Sequence, residues 1–83
     1  MNKRSQNEKK FRNWEDLPDG GRRYWYEKTG LHGRKRRYVK IVDHNENTIS
    51  FCQEIINQQG IIVEIHPKYP IDEGHRIVRK ISS

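Results

Sequence analysis

Two stretches of this 83-residue chain carry residue types that could do chemistry. The first is 22–40, where Arg22, Arg23, Lys28, Arg34, Lys35, Arg36, Arg37 and Lys40 are interleaved with Tyr24, Trp25, Tyr26 and Tyr38. Lysine and arginine neutralise phosphates and release counterions. Aromatic rings stack on unpaired bases at about 1–3 kcal/mol each. Together they suit RNA or single-stranded DNA, whose bases are open to stacking. The second stretch is 64–76, which concentrates Glu64, His66, Lys68, Asp72, Glu73, His75 and Arg76. Metal-independent RNA cleavage needs a general base for the 2′-OH and a general acid for the leaving oxygen. It also needs a cation for the charge that grows on the phosphate. Glu64 or His66, His75, and Lys68 or Arg76 could fill those roles in a small β-sheet ribonuclease toxin. The same residues also make an ordinary charged loop between two strands.

Other chemistries lack a pattern. His32, His44, His66, His75 and Cys52 show neither of the close pair spacings of a zinc site, so no metal is expected. Gly20-Gly21 and Gly30-x-x-Gly33 lack the strand-to-helix context of a phosphate loop and read as turns, which leaves no cofactor motif. A lone Cys52 cannot form an internal disulfide and reads as a buried, inert thiol. With no apolar stretch behind MNKRSQNEKK, no signal peptide is expected, and the cytoplasm is the expected compartment. No apolar run approaches the ~20 residues of a membrane span.

Charge is unevenly divided. Residues 1–40 hold 13 basic and 5 acidic side chains, a net of +8, whereas 41–83 hold 4 and 6, a net of −2. Such asymmetry points to an anionic partner for the first half, foremost nucleic acid, with an acidic protein as the alternative. Net charge that serves only solubility is the plainer explanation.

The elements that must position these residues are strands. The chain has ten Ile and four Val but two Leu and no Ala, a composition that favours a pleated sheet over a helix. Residues 1–13 show no apolar periodicity and read as a flexible basic arm ahead of one β-rich domain, 14–83. Trp14 to Leu17 reads as an anchor, and Pro18-Asp19-Gly20-Gly21 as a tight turn. Strands are predicted at 22–29, 35–42, 48–57, 61–66 and 76–81. The linking turns are GLHGR, DHNEN, QQG and HPKYPIDEG, the last because Pro67 and Pro70 exclude a central strand. The expected fold is a small antiparallel meander of four to five strands, as a curved sheet or a partly open barrel.

One aliphatic face is expected from Val39, Ile41, Ile49, Phe51, Ile61, Val63, Ile65 and Ile77. A sheet this small needs that face covered, by Trp14–Leu17, by curvature or by a second copy in a homodimer. Strand alternation puts Arg37 with Val39 and Ile41, and Arg36 with Tyr38 and Lys40 on the opposite, wet face. The function expected is non-enzymatic nucleic-acid binding by Arg22, Arg23, Tyr24, Tyr26, Lys28, Arg34, Lys35, Arg36, Tyr38 and Lys40. The alternatives are the ribonuclease and a regulator docked on an acidic partner.

Overall fold

Alternating β-branched and aromatic residues build an antiparallel meander in which each strand pairs with the next. The structure is a computed structural model that describes residues 2–70 and the backbone of 76–77. In chain order it comprises α1 (Lys3–Phe11), β1 (Asn13–Asp16), β2 (Arg22–Thr29), β3 (Lys35–Val42), β4 (Thr48–Ile56), β5 (Ile62–Tyr69) and β6 (Arg76–Ile77). The strand order along the sheet is β1-β2-β3-β4-β5-β6, with β1 and β6 at opposite edges, so the sheet is open. The mostly β, antiparallel meander expected from composition is thus the fold. β2 and β3 carry the predicted boundaries.

Three corrections follow. The first concerns residues 1–13, read above as a flexible arm, most of which form α1. Asn2 caps it by accepting from the Ser5 N–H at 2.8 Å, and Arg4 pairs with Glu8 one turn on at 3.2 Å. Lys9 and Lys10 sit in the last turn, where cations suit the helix dipole. A nine-residue helix is not stable alone in water. Docking holds it, and Phe11, its only large apolar residue, is 1% exposed.

The second correction concerns the faces. Register pairs Val39 with Cys52 and Lys40 with Phe51, so Phe51 lies opposite to Val39 and Ile41. The expected single aliphatic face is therefore split between the two sides. The core lies on the other side, where α1 covers Tyr24 and Val42, each 0% exposed, with Tyr26, Tyr38 and Phe51 packed around them. The cover is α1, and Trp14–Asp16 serves instead as the edge strand β1.

The third concerns Pro67. It lies inside β5, opposite Cys52, next to a bulge between Phe51 and Cys52. Among the described residues β6 pairs with Glu64 and Ile65, and no second ladder reaches Pro67 for proline to interrupt.

Three hairpin turns share one hydrogen-bond pattern. Leu17–Gly21, Asp43–Asn47 and Asn57–Ile61 each close with a first-residue N–H to fifth-residue C=O bond at 2.9 Å and a fourth-residue N–H to first-residue C=O bond at 3.0 Å. The fourth position is left-handed in all three, at φ 88°, 65° and 81°. Glycine fills it in the first and third turns, whereas Glu46 fills it in the second. A non-glycine residue there costs of order 1 kcal/mol, and the side chain of Glu46 shows what offsets that cost.

Candidate nucleic-acid interface

The two faces of the sheet treat their charges differently. On the side away from α1, Arg37 stands between its cross-strand neighbours Glu27 and Glu54, bonded to them at 3.0 and 3.5 Å. Arg23 lies 4.7 Å from the Trp25 ring and 3.7 Å from Glu15. Both arginines are thus committed to carboxylates. Cys52 lies half-buried on this side, and burial pushes its thiol up, so it stays protonated and inert.

The α1 side carries an aromatic row. Tyr26 and Tyr38 stack at 4.8 Å with planes inclined by 20°, and Tyr38 continues to Phe51 at 6.4 Å and 19°. Phe51 is the cross-strand partner of Tyr69, which is largely exposed. The row thus runs across β2, β3, β4 and β5, and Tyr26, Tyr38 and Phe51 are half-buried. Burial beside Tyr38 raises the pKa of Tyr26, which keeps its hydroxyl protonated.

Cations border this row. Lys28 lies 6.0 Å from the Tyr26 ring, and Arg36 is its cross-strand partner. Lys10 and Lys40 lie 5.5 and 6.0 Å from the Phe11 ring. Among the described residues, Lys3, Lys9, Lys10, Arg12, Lys28, Arg34, Lys35, Arg36, Lys40 and Lys68 enter no ion pair. Most of the uncommitted positive charge therefore lies on or beside the face that carries the rings.

A polar network holds α1 in place beneath this surface. Arg22 donates to Glu8 at 2.8 Å and to Asp16 at 3.0 Å, and its guanidinium is 3.5 Å from the Tyr24 hydroxyl. Tyr24 donates to Glu46 at 2.9 Å, and Asn7 donates to the same carboxylate at 3.1 Å. Lys40 donates to the Asn7 side-chain oxygen at 2.9 Å. This is the return on the strained backbone of Glu46, whose carboxylate serves two buried groups. Burial, then the Glu46 hydrogen bond, raises the pKa of Tyr24. Burial works against the Arg22 charge, but its bonds to Glu8, Tyr24 and Asp16 outweigh that and hold it firmly protonated.

The predicted binding residues therefore divide. Tyr26, Tyr38, Lys28, Arg36 and Lys40 share the α1 face. Arg34 flanks it, lining a depression of about 290 Å³ with Arg36, Leu31, Ile55 and Glu64. Lys35 falls on the other parity, beside Arg37. Arg22 and Tyr24 are corrected to core residues, closed to any ligand, and Arg23 to the opposite face. Lys40 is half-buried under α1 rather than on a wet surface. Sequence reading missed Lys3, Lys10, Phe51 and Tyr69, because a helix over 3–11 and the β4–β5 register were needed to bring them in.

The second constellation does not form a loop over its described part. Glu64, His66 and Lys68 lie within β5, where Glu64 and His66 are two apart and half-buried. Arg76 pairs with Ile65 through the backbone. Asp72, Glu73 and His75 lie outside the described residues. No three of His, Cys, Asp and Glu among the described residues gather as metal ligands. No helix among them is long and apolar enough to cross a membrane. The chain matches no protein-family model, no curated protein and no solved structure.

Proposed function

We propose that this protein binds single-stranded nucleic acid, RNA or DNA, on the α1 face of its sheet. One observation carries the reading. The half-buried Tyr26-Tyr38-Phe51 row is bordered by cations that, among the described residues, have no carboxylate partners, whereas the opposite face pairs its arginines. Rings on an open sheet offer stacking to bases that a duplex hides. An acidic protein surface would use the cations but would have less use for the rings.

Single substitutions separate binding from folding. Arg36→Ala should weaken binding of an oligouridine and reduce the salt slope by about 0.7–1 unit, with stability little changed. Tyr38→Leu keeps apolar bulk but removes the ring, and should cost about tenfold in affinity. Arg37→Ala should leave binding unchanged and lower stability by about 1 kcal/mol, from its two carboxylate contacts and its packed stem. Fluorescence anisotropy and thermal melting read both quantities. Equal binding losses for Arg36→Ala and Arg37→Ala would remove the α1 face as the site.

A further inference from the structure

The α1 face ends in a groove of about 520 Å³, lined by Lys3, Lys10, Lys40, Phe51 and Tyr69 among others. That size lies within the range of small-molecule sites. Among the described residues, three ammonium groups line it and no carboxylate does. Lys3 donates to Asn47 at 3.0 Å and Lys40 to Asn7 at 2.9 Å, both neutral acceptors, so neither bond cancels their charge. Among the described residues, Glu46 is the acidic group that acts on Lys40, and its oxygens are held by Tyr24 and Asn7. Burial, then repulsion from Lys10, with a further push from Lys3, makes Lys40 a weaker base than usual, against the pull of Glu46. Lys10 and Lys3 thus both repel Lys40 in the groove that the three line, and an anion seated there would relieve that repulsion. Phe51, the cross-strand neighbour of Lys40, and Tyr69, the partner of Phe51 on β5, supply aromatic surface to the same groove.

We propose that this groove seats a nucleotide bearing a terminal phosphate, with the phosphate among Lys3, Lys10 and Lys40 and the base against Phe51 and Tyr69. A terminal phosphate carries a charge of about −1.5 to −2 at neutral pH, whereas an internal phosphodiester carries one. Three clustered cations favour the more highly charged group. The inference rests on the single-strand reading above and adds to it a preference for phosphorylated strand ends or for free mononucleotides.

The test compares labelled oligouridines with a 5′-phosphate, a 3′-phosphate or neither, by anisotropy with the full chain. One phosphorylated form should bind about tenfold more tightly than the unphosphorylated strand. Lys10→Gln should abolish that ratio, while Lys9→Gln, which removes the same charge one residue away on α1, should keep it. Uridine monophosphate as competitor separates the sources. If it displaces the phosphorylated strand at comparable concentrations, the groove takes free nucleotides. If it does not while the tenfold ratio persists, the groove reads strand ends. Equal affinity for all three strands, or equal effects of the two lysine variants on the ratio, would overturn the proposal and leave single-strand binding standing. Failure of every strand to bind would remove both.

Discussion

Replacing Phe11 by alanine should lower stability by about 3 kcal/mol and release α1 from the sheet. The Phe11 ring sits 5.8, 5.4 and 6.4 Å from Tyr24, Tyr26 and Phe51 and is the only large apolar side chain that α1 contributes. The rest of α1 is polar, and Asn7 is its other buried residue. Without the ring, only the polar contacts of Lys3, Asn7 and Glu8 remain to offset the cost of ordering nine residues that are not helical alone. For a domain this small the midpoint should fall by roughly 12–24 °C. The helical part of the far-ultraviolet circular dichroism should be lost before the sheet melts. An unchanged melting curve would mean that α1 is not docked.

The second large effect is expected at Arg22. Its guanidinium lies 5.5 Å from the Trp14 ring and 5.6 Å from the Tyr24 ring, in addition to its bonds to Glu8 and Asp16. Arg22→Ala removes that packing and leaves the Tyr24 end of the network short of a partner. The cost should be about 2–3 kcal/mol. It falls below that of a sealed ion pair because Glu8 and Asp16 keep water contact and rehydrate.

A pH signature accompanies this loss. The hydrogen bond from Arg22 holds the Glu8 carboxyl below its usual range, and backbone bonding from Asn47 does the same for Asp43. Depressed carboxylates contribute stability above their unfolded pKa, about 4, and lose it as the pH falls through the lower folded value. The wild-type protein should therefore weaken as the pH drops below about 4. Arg22→Ala should flatten that dependence by removing the Glu8 share while leaving that of Asp43. An unaltered acid profile in Arg22→Ala would argue against the Glu8 pairing.

Local pattern was enough to read the hairpins. RRYWYEKT and KRRYVKIV alternate between turn signals and form β2 and β3 with the expected ends. Register across β3, β4 and β5 was not legible, because bulges at Ile41/Val42, Phe51/Cys52 and Ile55/Ile56 shift the pairing there. That is why Phe51 changed sides, whereas Tyr24 moved from surface to core because α1 covers it. α1 was hidden for a different reason. Its sequence, KRSQNEKKF, has one apolar residue and so no period, and its stability comes from a single docked ring and a hydrogen-bond network. One signal was available. Aligning LPDGG and NQQGI with DHNEN sets Glu46 where the other turns place glycine, which marks a side chain kept for a purpose.

The most direct test of the single-strand reading is a salt titration of the full chain on a single-stranded oligouridine and on a duplex of equal length. Lys3, Lys10, Lys28, Arg36 and Lys40 border the aromatic row without ion-pair partners. If each meets one phosphate, log K should fall against log salt with a slope of about −3.5, near 0.7 per contact. The single strand should bind about tenfold more tightly than the duplex at every salt concentration. A flat salt response, no binding at low salt, or tighter binding to the duplex would contradict the account.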